Sequence, residues 1–184
     1  MPGVAPLAFP HPPLSDGVIA LRAWTPADVP AIVEACQDPE IPRWTLVPSP
    51  YDEAEARAFL RRVASGRDDG VRATFAAVDA ADHGALLGSA GLQAIDWEQR
   101  AADLGYWVAA PARGGGVATR AVELLVEWAF DSLGLERVEL RTNEGNAASQ
   151  AVATRAGFSR TEGPLVRRPE CEHMPDIFFA RVRG

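Results

Sequence analysis

The chain has 184 residues, 47% of them hydrophobic, and a formal net charge of −7. That length is near the usual size of one domain and allows roughly 70% of the unfolded surface to be buried. The acidic balance argues against a duplex nucleic-acid ligand, which calls for a basic face, and no apolar run is long enough to cross a bilayer.

Residues 1–14 hold Pro2, Pro6, Pro10, Pro12 and Pro13 without a basic start or an apolar core. They read as a loose tail, not a signal peptide, and with no export signal a cytoplasmic location is the default. Residues 15–184 read as a single domain without internal repeats. Val18 to Ala23 predicts a strand, and Thr25-Pro26-Ala27-Asp28 a helix start with Thr at the cap and Pro first, closed by Asp38-Pro39. Cys36 and Cys171 form no paired spacing, and His11, His83 and His173 are scattered, so neither a disulfide framework nor a metal site is expected. Ser49-Pro50-Tyr51-Asp52 opens a second helix that runs to about Ala64, before Ser65-Gly66. Arg72 to Val78, Leu86 to Leu92 and Ala102 to Val108 form a meander of strands, with a polar turn from Asp79 to Gly84.

The last of these strands enters Arg113-Gly114-Gly115-Gly116, and an amphipathic helix follows. Ala121, Val122, Leu125, Trp128 and Ala129 form its apolar stripe, from Ala118 to Leu133, and Gly134 ends it. Glycines at a helix start leave the first amides uncovered, and donors and macrodipole then point outward together as an anion site. A nucleoside triphosphate loop would need Gly-Lys-Ser/Thr, and the chain contains no lysine. A dinucleotide fingerprint would need a third glycine where Thr119 stands, directly after the first strand of the sheet. An ordinary glycine-rich turn is the plain alternative.

Arg137 to Thr142 alternates as a strand. A short helix follows, with Asn146 at its N-cap, Ser149 three residues on, and Gly157 in an Ala-Gly-Phe ending. Ile177 to Val182 reads as the last strand.

Arg113-x-x-Gly116-x-Ala118 after Gly-Tyr-Trp-Val resembles the acetyl-CoA pyrophosphate loop of the GNAT acetyltransferases, Gln/Arg-x-x-Gly-x-Gly/Ala. Strand, Asn-x-x-Ser, short helix, Ala-Gly-Phe resembles the second signature of that family, in particular its RimJ/RimL-type branch. The resemblance runs from about Gly17 to Val182. It implies a mixed α/β fold with a central, mostly antiparallel twisted sheet flanked by helices. It also implies an acyltransferase with acetyl-CoA as cosubstrate and no metal.

By that resemblance, backbone at Trp107, Val108 and Ala109 pairs with the pantetheine arm. Amides of Arg113, Gly114, Gly115, Gly116, Val117, Ala118 and Thr119 hold the pyrophosphate, and Asn146 and Ser149 lie beside the arm and the thioester. Relatives often carry Lys or Arg at the position of Gly115; Arg113 and Arg120 could compensate. Ser149 matches a serine that protonates the leaving thiolate; read from the residues alone, it is equally a helix-start serine tying down a backbone amide. Asp103 stands where many relatives place a base, and is otherwise a polar residue at a strand edge. Trp44 and Tyr51 fall in a substrate-lining region, where an aromatic could pack on an acceptor, though a tryptophan such as Trp44 is more often a core residue. Glu170, Glu172 and His173 lie in the last hairpin on the acceptor side. There Arg168-Pro169-Glu170 departs from the glutamate pattern of RimL-type enzymes.

The expected activity is transfer of acetyl to a primary amine by direct attack in a ternary complex. A protein or peptide N-terminus is the first acceptor, and a small amine such as a polyamine, an amino acid or an aminoglycoside is the alternative. A noncatalytic acetyl-CoA-binding module is the reading from a different class, with a nicotinamide-dependent oxidoreductase behind it. Neither nucleic acid nor membrane is an expected partner. Relatives are often homodimers, and no interface is legible in one chain.

Overall fold

Strands form here where apolar side chains sit at every second position, and where both faces are covered the runs become continuously apolar. The computed structural model describes residues 5–166, 168 and 176–184. Eight strands make one sheet: β1 (Leu14–Ser15), β2 (Ile19–Arg22), β3 (Ala73–Asp79), β4 (Leu86–Asp96), β5 (Ala101–Val108), β6 (Arg137–Asn143), β7 (Ser159–Thr161) and β8 (Asp176–Val182). Their order is β1-β2-β3-β4-β5-β6-β8-β7. Every neighbouring pair is antiparallel except β5 and β6, which run parallel. A parallel pair needs a crossover, and α4 (Val117–Asp131) supplies it.

The stripe read from the sequence is the buried face of α4. Val117, Ala121, Val122, Leu125, Val126, Trp128, Ala129 and Phe130 all pack inward, in one cluster with Phe75, Leu92, Leu104, Leu140 and Phe158. α5 (Ala147–Arg155) covers the same face through Val152 and Ala153. On the opposite face, α1 (Val29–Ala35), α2 (Glu40–Trp44) and α3 (Glu53–Asp68) bury Val29, Ile32, Ile41 and Ala56 with Tyr51, against Leu86 and Trp107. The result is the mixed, mostly antiparallel architecture expected.

Several boundaries differ from the sequence expectation, each through a contact distant in sequence. α3 does not stop before Ser65-Gly66 but runs on to Asp68. Gly66 is needed inside it, because a Cβ there would lie 2.7 Å from Cβ of Arg72. The segment between the first two long helices contains α2, whose start is held by the Asp38 carboxylate accepting from the Glu40 amide. Residues 5–14 do not behave as a loose tail. Leu7 is buried in the main core, its amide donates to the Arg67 carbonyl at 3.0 Å, and Phe9 stacks on Phe75 with ring centroids 4.5 Å apart. Proline content signals only poor helix and strand formation, and these side chains are held by docking instead.

Candidate active site

The site is made by a defect in the sheet. β5 and β6 are paired only from Ala101/Arg137 to Leu104/Leu140. Beyond that point β5 continues to Val108 alongside β4, and β6 continues to Asn143 alongside β8. The strands therefore part, and among the described residues the side of β5 facing the gap has no strand partner from Gly105 onward. A cleft of about 1540 Å³ opens there. The start of α4 and Ser149 of α5 line one part of it, and α2 with the segment leading to α3 lines another.

At the mouth, Gly114 and Gly116 both take the left-handed conformation, with φ of 80° and 79°. Side-chain-bearing residues resist that region, which explains glycine at these two positions. Gly116 caps α4 without a side-chain hydrogen bond, and the first helical bond runs from the Arg120 amide to the Gly116 carbonyl. The amides of Val117, Ala118 and Thr119 thus have no protein acceptor among the described residues. Donors and dipole at the start of a 15-residue helix face the cleft together. The two arginines expected to reinforce this loop are engaged elsewhere. Arg113 pairs with Asp38 and donates through Nε to the Val108 carbonyl, and Arg120 pairs with Asp16 at 2.6 Å. Trp107 and Val108 are half-buried along the unpartnered edge, while the Ala109 amide is already bound to the Leu87 carbonyl.

On the other bank of the cleft, Asn146 caps α5: its Oδ1 accepts from the Ser149 amide at 3.0 Å. The Ser149 hydroxyl is not spent on a backbone amide. The Tyr106 hydroxyl donates to its Oγ at 2.9 Å. Burial pushes the Tyr106 phenol upward, and the bond to Ser149 opposes that only in part. Strand alternation places Tyr106 on the α4 face, but no sequence rule links it to a serine 43 residues away.

The opposite face of β5 forms the second half of the cleft. Asp103 is 1% exposed and lies in the interior of the sheet, between β4 and β6, not at a strand edge. Arg141 Nε donates to it at 3.4 Å and Arg168 Nη1 at 2.8 Å. Burial pushes its carboxyl upward while the two guanidiniums pull it down. Beside it, buried Glu139 accepts from the Leu165 and Val166 amides and from Arg137, which fixes the chain just before Arg168. Glu139, Arg141 and Arg168 emerge only from the fold, since parallel pairing sets Asp103 beside Glu139.

Gly91 and Gly105 are cross-strand partners; a Cβ at Gly91 would lie 2.6 Å from the Ala73 carbonyl oxygen, so the open space is on the Gly105 side. A Cβ added at Gly105 would meet nothing nearer than Gln93 at 4.0 Å. Trp44 and Tyr51 both line the cleft. Trp44 Nε1 donates to Glu40, Arg43 lies over its ring at 4.6 Å, and a Cβ on Gly145 would be 3.7 Å from its ring. It therefore reaches the turn between β6 and α5. Tyr51 is buried in the helical layer, which pushes its phenol up to about 12. Glu170, Glu172 and His173 lie outside the described residues. Among the described residues, no three His, Cys, Asp or Glu side chains cluster as a metal site, and no helix is long and apolar enough to span a membrane.

Comparison with known proteins agrees with this fold. A family model described as Acetyltransferase (GNAT) domain matches residues 19–159. A Bacillus subtilis (strain 168) protein with the provisional name ribosomal N-acetyltransferase YdaF is 40% identical over 75 residues, which span 41% of each chain. A Vibrio cholerae structure, provisionally named a ribosomal-protein-serine acetyltransferase, superposes with a TM-score of 0.81 at 21% identity. That match covers 96% of this chain and 100% of the other. The structure of RimL, a ribosomal L7/L12 alpha-N-protein acetyltransferase in complex with coenzyme A, superposes with a TM-score of 0.78 at 20% identity, covering 92% of this chain and 96% of the other. At these identities the two structures speak for the fold.

Proposed function

The chain belongs to the GNAT acetyltransferase family, whose members move an acetyl group onto an amine, and from that premise we propose that it acetylates protein or peptide N-termini with acetyl-CoA. The observation that carries this reading is the parted β5–β6 pair, which sets the open amides of α4 and the Ser149 hydroxyl on one cleft. The uncapped amides and the exposed glycine cradle fit a pyrophosphate, and the free edge of β5 from Gly105 fits an extended amide-bearing arm. Asn146 and Ser149 border that arm from α5. Acetyl-CoA, when bound, supplies the thioester carbonyl that the amine attacks. Ser149 holds the proton that the departing sulfur takes up, and the amine gives up one of its own as the amide forms.

Asp103 is assigned the positioning of Arg141 and Arg168, because with 1% exposure it presents no open face to an amine. An acceptor that arrives partly deprotonated asks least of whatever base the cleft supplies. An α-amino group, with a pKa near ~7.8, meets that condition at neutral pH, and an alkyl amine near ~10.4 does not. This favours a chain terminus acetylated in the cytoplasm. A small amine is the second reading, favoured by Trp44, which reaches from α2 to Gly145 and narrows the acceptor side.

The test is thiol release from acetyl-CoA, with short peptides beginning in Ser, Ala or Met set beside polyamines, amino acids and aminoglycosides. Release with one peptide class is expected, rising with pH up to about the acceptor's own pKa of ~8. Release with small amines alone would discard the N-terminal reading. Cofactor binding with silence across the panel would leave a noncatalytic acetyl-CoA-binding module.

A further inference from the structure

Tyr106 is the residue on the α4 face of β5 that follows Leu104, the last position paired with β6. It stands where the two strands begin to part. Its ring packs against the main core, and its hydroxyl reaches out of that apolar setting to one side chain, Ser149 on α5. Both residues line the cleft. Ser149 is fixed from two directions, with its amide held by Asn146 and its oxygen by Tyr106.

A serine hydroxyl has one proton and rotates freely unless its oxygen is engaged. When the phenol donates to Oγ, that proton points away from Tyr106. From this geometry we infer that Tyr106 is a positioning residue for acyl transfer, acting through Ser149: it aims the serine proton into the cleft and stabilises the negative charge left on Oγ. The inference rests on the reading of Ser149 as the proton donor to the departing thiolate.

The step balances. The amine nitrogen bonds to the carbonyl carbon, the carbon–sulfur bond breaks, and sulfur takes the Ser149 proton. The serine oxygen then recovers a proton from the one the nitrogen releases, passed through water. Tyr106 keeps its own proton throughout, in line with the upward push of burial on the phenol. A phenylalanine would fill the same space, so the hydroxyl, not the ring, is what the inference concerns.

The experiment uses Tyr106→Phe, Ser149→Ala and the double variant, each with CoA bound. The CoA thiol is titrated through its ultraviolet thiolate absorbance, read against the protein alone. In the native protein the bound thiolate should accept from Ser149 and titrate below free CoA. Both single variants should move it back toward the free value, and the double variant should move it no further than Ser149→Ala alone. Tyr106→Phe should also lower kcat about tenfold on the best acceptor, with little change in acetyl-CoA affinity. A Tyr106→Phe protein that titrates and turns over like the native one, beside an impaired Ser149→Ala, overturns the role of Tyr106 and leaves Ser149 standing. Additive losses in the double variant overturn it as well, because Tyr106 would then act independently. A Ser149→Ala protein indistinguishable from native overturns the Ser149 reading itself.

Discussion

Among the described residues the buried carboxylates Asp28, Asp103 and Glu139 are all paired, and each ties separate pieces of chain together. Asp28, 7% exposed, accepts from the Arg22 guanidinium at 2.7 and 2.9 Å and from the Thr25 amide at 2.7 Å. It thereby ties β2 to the turn that opens α1. Burial alone would raise its carboxyl, but these donors hold it below the ordinary aspartate range. A carboxyl lowered by folding contributes stability above its unfolded pKa, and that contribution is lost as pH falls through the folded value. Asp28→Asn should therefore lower stability by about 2 kcal/mol at pH 7. The gap to the native protein should close as pH falls below ~4, in thermal melts recorded across that range. A gap constant in pH would show that the bonds, and not the charge, are what Asp28 contributes. At this scale the sequence is least informative. Asp103 is visible as a polar residue in an apolar strand, yet its partners come from β6 and from residue 168. Tyr106 is visible as an aromatic in a strand, yet its hydroxyl partner belongs to a helix after a crossover.

Elements are where sequence and structure agree most closely, because their signals are local. The α4 stripe, the Asn146 cap and the positive φ of Gly157 all follow from residues within a few positions of each other. α3 is the counterexample: Gly66 reads as a stop, but Arg72 packs against it and the helix continues. The α4 start carries a prediction of its own. Gly116→Ala imposes the left-handed strain of roughly 1–2 kcal/mol without adding charge, whereas Gly116→Asp also sets a carboxylate at the open amides. Acetyl-CoA affinity, measured by calorimetry, should fall at least ~10-fold further in the Asp variant than in the Ala variant. Equal affinities in two folded variants would remove the pyrophosphate from this turn.

Over the whole molecule, β5 and β6 pair at one end and part beyond Leu104, and the cleft proposed to take acetyl-CoA lies in that opening. The two faces of the sheet are closed by different helices, so the cleft runs between a layer that borders the α4 amides and the layer of α1, α2 and α3. The N-terminal segment belongs to the first layer. Leu7→Ala should therefore cost about 2 kcal/mol, lowering the melting temperature by roughly 4–8 °C. An unchanged melt would return residues 5–14 to the loose tail that their proline content suggests. That docking was illegible because it depends on Phe75 and Arg67, both more than fifty positions away.

The most direct measurement is a titration of acetyl-CoA into the protein by calorimetry, paired with a melt at a hundredfold excess over Kd. Saturable one-site binding is expected, with about 2.7 kcal/mol of added stability and a rise of roughly 5–10 °C in Tm. No heat and no shift, with the protein folded, would mean that the cleft between β5 and β6 is not an acetyl-CoA site.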